Sequence, residues 1–200
     1  MADCNSTTPR RNFFYRHRVA ALLIIGIAVG ILGTTAINIG IAATNTTEFC
    51  ISCHEMKNTV YEEYKTTAHF ANRSGVSVTC ADCHVPREGL AKLWRKIQAS
   101  NDIYHTLIGT VDTPAKFEAK RLELAQRVWA YMKASDSREC RSCHSFTAMV
   151  AEQQKPRARA QHQSASTTGE TCIDCHKGIA HKPIHQRTSD VTKTEDFMLN

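Results

Sequence analysis

From Val19 to Thr47 the chain carries no charged side chain, and Val19 to Ala43 is dense in Leu, Ile, Val, Ala and Gly. A helix rises 1.5 Å per residue, so roughly 20 apolar residues cross the hydrocarbon core and this run predicts one crossing with some tilt. A cleaved signal peptide has a shorter apolar stretch of roughly 7 to 15 residues, which makes an uncleaved anchor the expectation. A cleavage site in GIAAT at 40 to 44 is the alternative. Beyond Glu48 the pattern becomes that of a water-facing domain. Leu90, Leu93, Trp94 and Ile97 form an i, i+3, i+4, i+7 stripe, with Lys92, Arg95 and Lys96 on other faces, as in a helix that lies at a membrane interface. A packed helix is the competing reading of that stripe. A further helix is predicted from Pro114 to Ala134: Thr113 can cap it, Pro114 suits the first position, and Phe117, Leu124, Val128 and Tyr131 recur at helical spacing. Glu123 and Arg127 add an i,i+4 pair. Strand signals are confined to GVSVTC at 75 to 80, the polar segment 152 to 171 reads as a surface loop, and the sequence after His185 has no packing pattern.

Arg10, Arg11, Arg16 and Arg18 precede the apolar run against the single acid Asp3, so the positive-inside rule places the N-terminus in the cytoplasm and everything after Glu48 outside it. The expected organisation is a cytoplasmic tail over 1–18, an anchor over 19–47, a periplasmic domain over 48–185 and a flexible tail over 186–200. The formal charge of +6 divides into +3 before residue 48 and +3 after it, too little to support nucleic-acid binding.

Nine cysteines are present, and eight fall in four copies of one motif: Cys50-Ile-Ser-Cys53-His54, Cys80-Ala-Asp-Cys83-His84, Cys140-Arg-Ser-Cys143-His144 and Cys172-Ile-Asp-Cys175-His176. Only Cys4 lies outside them. CxxCH is the attachment signature of c-type haem: two thiols add to the porphyrin vinyl groups and the adjacent histidine is placed to ligate iron. Zinc ribbons also use CxxC pairs, but they do not need the histidine. With histidine at 10 of 200 positions, one directly after all four pairs is not chance. Four covalently attached c-type haems are therefore expected, and their apolar faces replace an aliphatic interior. The fold class that follows is mainly α, a single N-terminal transmembrane helix followed by a compact multihaem cytochrome c domain with little regular β structure. The motif spacings suggest two close pairs joined by a helix-rich stretch, 87 to 135. Low-spin iron takes two strong axial ligands, so each motif histidine needs a partner from His69, His105, His162, His181, His185 or Met56. His181 is only five residues past His176 and the porphyrin lies between them, so it should serve a neighbouring haem.

The words CISCHEM, HFANRSGVSVTCADCHVP, NDIYHTLIGTVDTPAKFE, DSRECRSCH and TCIDCHKGIAH together resemble the NapC/NirT family of membrane-anchored tetrahaem quinol dehydrogenases, which includes the NrfH and CymA types. The resemblance covers roughly residues 10 to 185. It implies electron transfer from the membrane quinol pool to a periplasmic reductase or cytochrome, at the bacterial inner membrane. It further implies His69 as distal ligand of haem 3, His181 of haem 2 and His162 of haem 4. For haem 1 the family divides. In the NrfH type the methionine two places after the motif histidine binds iron, which is Met56 here; many NapC-type members carry a histidine in CHVPH, where this chain has Arg87. The reading favoured is Met56 over His54. Asp102 matches an acidic position beside haem 1, and a basic residue at Lys96, or Arg95 one place away, matches a quinol contact. The expected site chemistry is then proton acceptance by Asp102 and hydrogen-bond donation from Lys96 to the quinol oxygen. Two other classes compete: a catalytic reductase, for which no substrate-binding constellation is seen, and an electron-transfer module without quinone chemistry. Flow in reverse, into quinone, is a further alternative.

Overall fold

The computed structural model describes residues 10–87 and 89–184. Cys4, His185 and the tail from 186 lie outside the described residues. The chain divides into two units at Thr44/Asn45.

The first unit is one helix, α1 (Arg10–Ala43), of which Tyr15–Ala43 is long and apolar enough to cross a membrane. Its large apolar side chains from Leu22 to Ile39 are exposed on every face, the pattern of a helix whose solvent is lipid. Asn38 and Thr44 each turn a side-chain donor onto the carbonyl four residues back, at 2.8 Å, which satisfies the polar groups inside the apolar run.

The second unit consists of short helices and turns with two long helices. In chain order these are α2 (Thr47–Cys50), α3 (His54–Asn58), α4 (Val60–Tyr64), α5 (Cys80–His84), α6 (Gly89–Leu107), α7 (Pro114–Ala134), α8 (Arg138–Arg141), α9 (Pro156–Thr168) and α10 (Cys172–Cys175). No strand occurs among the described residues, and the GVSVTC segment is irregular up to Thr79 and opens α5 at Cys80. The mainly α fold class expected from the sequence is the one observed. Helix α7 has the predicted bounds: the Thr113 hydroxyl accepts from the Lys116 amide at 3.3 Å and Pro114 opens the first turn. Thr113→Ala is expected to cost about 1 kcal/mol, read as a lowered denaturation midpoint with haem content unchanged.

Helix α9 corrects the expectation of a loop over 152 to 171. Pro156 starts it, Ala158, Ala160 and Ala165 favour it, and Gly169 ends it in the left-handed region at φ 75°. It has no apolar stripe because its inward face carries His162 rather than aliphatic side chains.

Among the described residues only Tyr64, Phe117, Met132 and Ile173 are buried large apolar side chains. The interior is instead a cavity of about 1510 Å³, beyond the roughly 300–1,000 Å³ of a single small-molecule pocket.

Candidate functional site

Each CxxCH motif sits on a helical turn. Motif 1 runs from the end of α2 into α3, motif 2 is α5, motif 3 begins in α8 and motif 4 is α10. Two of the turns are fixed by the same device. In the repeated word T-C-x-D-C-H, Thr79 with Asp82 and Thr171 with Asp174 each form a reciprocal capping box that winds the attachment turn. Motif 4 is tied to motif 3 by Ser137, fully buried with φ 49°, whose hydroxyl accepts from the Ile173 amide at 3.1 Å.

The motifs stand in one row, in chain order. Helix α2 packs on α5, with Cys50 beside Cys80. Helix α5 packs on α8, with Cys83 beside Cys140 and Cys143. Cys140 in turn neighbours Cys172. The sequence spacings suggested two close pairs joined by a helix-rich stretch, and the α6–α7 excursion that joins them returns the chain so that motif 3 lies against motif 2. Arg87, next to the second motif, reaches 3.1 Å from Cys143 Sγ and 3.5 Å from Asp82, so it bridges motifs 2 and 3.

Three motif histidines face a histidine from elsewhere. His144 faces His69 with ring centroids 6.3 Å apart, His84 faces His181 at 6.2 Å, and His176 faces His162 at 6.0 Å. Two metal–nitrogen bonds of about 2.0 Å and two ring radii of about 1.1 Å sum to about 6.2 Å, the spacing of two imidazoles on opposite sides of one metal. All six rings line the cavity. The His162 ring is oriented by Gln154, whose Oε1 lies 2.8 Å from Nδ1, leaving the other nitrogen for the cavity. His181 leaves the vicinity of His176 through a turn at Gly178, φ 76°, where a Cβ would approach Pro183 Cγ to 3.0 Å. His105 has no such partner; its Nδ1 is 3.2 Å from the Thr110 hydroxyl.

At motif 1, Met56 lines the cavity, whereas the His54 side chain is 63% exposed with Nδ1 3.6 Å from Glu55. Glu55, which carries no sequence signature, is buried, accepts from the Thr106 hydroxyl at 2.7 Å and so ties α3 to α6. Asp102 and Lys96 project from α6 about 120° apart. Asp102 opens on the cavity and its charged neighbours are Arg95, His105 and Arg127; burial raises its carboxyl pKa against the pull of Arg95. Lys96 lies near Cys50 and the cations Lys92 and Arg95, and burial lowers its pKa. Asp102 therefore faces the cavity, and Lys96 the first attachment turn. The apolar stripe of α6 is uncovered, with Leu90 84% and Trp94 61% exposed.

The donor set fits haem c. All eight motif cysteines are free. Among the described residues no three His, Cys, Asp or Glu side chains converge as a bare metal ion would require. Thiol pairs on capped turns, facing imidazoles at coordination spacing and a cavity in place of an aliphatic core define a multihaem c-type cytochrome.

Residues 14–186 match the NapC/NirT cytochrome c family, N-terminal region, and the chain belongs to that family. It is 55% identical over 166 residues to the denitrification system component NirT of Stutzerimonas stutzeri, covering 83% of each chain. It is 52% identical over 167 residues to the cytochrome c-type protein NapC of Escherichia coli (strain K12), covering 84% of each. The cytochrome c-type protein TorC of the same strain is 52% identical over 168 residues, 84% of this chain and 43% of TorC.

Proposed function

We propose that the protein is a membrane-anchored tetrahaem quinol dehydrogenase that takes electrons from the membrane quinol pool and delivers them to a periplasmic reductase. The observation that carries this reading is the unbroken row of attachment turns, which begins at Cys50, three residues beyond the end of the uncharged run. Such a row gives a lipid-borne donor one end and a water-soluble acceptor the other. The arginines before the run place the N-terminus in the cytoplasm and the haem domain in the periplasm of the inner membrane. The NirT relative's description as a denitrification component favours an acceptor in nitrogen-oxide respiration.

Each haem, when bound, supplies reversible one-electron storage at its iron. The chain's part is ligation, placement and proton handling. Cys50 and Cys53, Cys80 and Cys83, Cys140 and Cys143, and Cys172 and Cys175 form the thioethers. His84 with His181, His144 with His69 and His176 with His162 would ligate three of the haem irons, and Met56 rather than His54 would ligate that of haem 1. A thioether ligand raises potential relative to bis-histidine and favours electron entry there. Lys96, beside Cys50, donates to the quinol oxygen, and Asp102 accepts the proton, its raised pKa keeping the carboxyl closer to neutral proton exchange than an ordinary aspartate. The uncovered α6 stripe seats this region in the headgroup zone.

Placing a charge in the stripe tests the reading. Trp94→Glu with Leu93→Glu should slow reduction by quinol in vesicles at least about tenfold, since each apolar side chain moved from water contributes about 1.5–3 kcal/mol. Reduction by soluble dithionite should be unchanged. Equal quinol rates in parent and variant would count against the interfacial placement.

A further inference from the structure

His181 and His69 are both borrowed from loops, and neither loop has a regular element to hold its histidine in place. Both loops end on α4. At one side of that helix, Glu63 Oε2 accepts from the amide of Lys182, the residue after His181, at 2.9 Å. Glu63 is itself held by Arg121 of α7 through two bonds, 2.9 Å from Nη1 and 2.7 Å from Nη2, the bidentate geometry of a guanidinium on a carboxylate. Arg121 is fixed in turn by Glu118, whose Oε2 accepts from Nε at 2.7 Å, and is 9% exposed. The His181 Nδ1 is buried near the Val60 backbone without a well-formed hydrogen bond, so the ring is placed by its backbone. Val60 is also on α4.

At the other side, the Tyr64 hydroxyl meets the carbonyl of His69 at 3.0 Å and, more closely, that of Val78. The Val78 amide donates to the same His69 carbonyl at 2.9 Å, closing the loop that carries the ligand. The Tyr64 ring stands edge-on to Phe70, centroids 5.5 Å apart. Tyr64 is 7% exposed, so these contacts are not exchanged with water.

We propose that α4 is a ligand-seating helix: Glu63, locked by Arg121, holds the His181 loop over haem 2, and Tyr64 holds the His69 loop over haem 3. This rests on the axial pairing proposed above. Glu63 and Tyr64 are adjacent on one short helix, and each holds one of the two loops. Neither residue touches a haem iron; both are positioning residues. Their contacts reach 58 and 119 residues along the chain for Glu63, and 14 for Tyr64.

The test is carbon monoxide binding to the dithionite-reduced full chain in detergent, counted as haem equivalents, with total haem and low-spin electron paramagnetic resonance signals measured on the same samples. An iron with two firm protein ligands excludes carbon monoxide, and one that has lost its distal ligand admits it. His181→Ala should open one haem more than the parent. Glu63→Ala should open the same haem in most molecules, and adding it to His181→Ala should open no second one. Glu63→Gln keeps an acceptor for the Lys182 amide and should fall between Glu63→Ala and the parent; it carries the same comparison if Glu63→Ala does not accumulate with four haems. Tyr64→Phe should open a haem in a fraction of molecules, and that increment should vanish in a His69→Ala background. If His181→Ala leaves binding at the parent level, the axial pairing fails. If His181→Ala opens a haem but Glu63→Ala and Glu63→Gln do not, or Glu63→Ala opens a second haem in the His181→Ala background, the pairing stands and the seating role of α4 is overturned.

Discussion

Replacing Cys80 and Cys83 by serine is expected to abolish the folded periplasmic domain rather than to yield a stable three-haem version of it. Motif 2 is the second place in the row, with Cys50 against Cys80 on one side and Cys140 and Cys143 near Cys83 on the other. Its turn is the element on which α2 and α8 both pack. Four buried large apolar side chains among the described residues are not a core for a domain of this length, so the attached haems must supply the apolar interior. Domains are stable by only about 5–15 kcal/mol, and losing one wall of the shared cavity exceeds that margin. The measurement is haem content and thermal unfolding of the membrane-extracted chain. The expected result is little or no haem-loaded protein. A three-haem protein melting within a few degrees of the parent would mean that the haems are not its core.

The second large effect is at α6. Asp102→Asn should lower the rate of quinol oxidation by about 10²-fold or more, the scale of a lost general base, while all four haems stay attached. The pH dependence gives a sharper signature. A base acts in its deprotonated form, and burial raises the Asp102 pKa. In the parent the rate should therefore fall as the pH drops through that raised value, above the usual aspartate range of about 3.9. In the asparagine variant this dependence should disappear. Lys96→Met should weaken quinol binding more than turnover, because a donor to the ground-state oxygen acts in both. Unchanged turnover in Asp102→Asn would remove the residue from the proton path.

The two kinds of information in the chain were legible to different degrees. The attachment sites could be read outright, because CxxCH is covalent chemistry written in five contiguous residues. Helix α7 was legible for a similar reason: its cap, its first proline and the stripe Phe117, Leu124, Val128 and Tyr131, which lines the cavity, all lie within one contiguous stretch. Helix α9 is hidden by its polarity; its Pro156 start and Gly169 stop are in the sequence, but a helix that presents a histidine to a cavity needs no apolar stripe. The row of motifs could not be read from spacing, since the return of the α6–α7 excursion against motif 2 depends on contacts between distant residues. Ser137, Glu55 and Glu63 were invisible for the same reason. Each acts through contacts 36 or more residues away, and such contacts leave no period or motif.

The account stands on electron entry from quinol at the membrane end of the haem row. Its most direct test is rapid mixing of the full chain in vesicles with a quinol analogue, following haem absorbance in the parent and in Met56→Ala. The parent should take up electrons in all four haems, and Met56→Ala, with its haems attached and still reducible by dithionite, should be reduced by quinol far more slowly. Parent protein that accepts electrons from dithionite but none from quinol would contradict it.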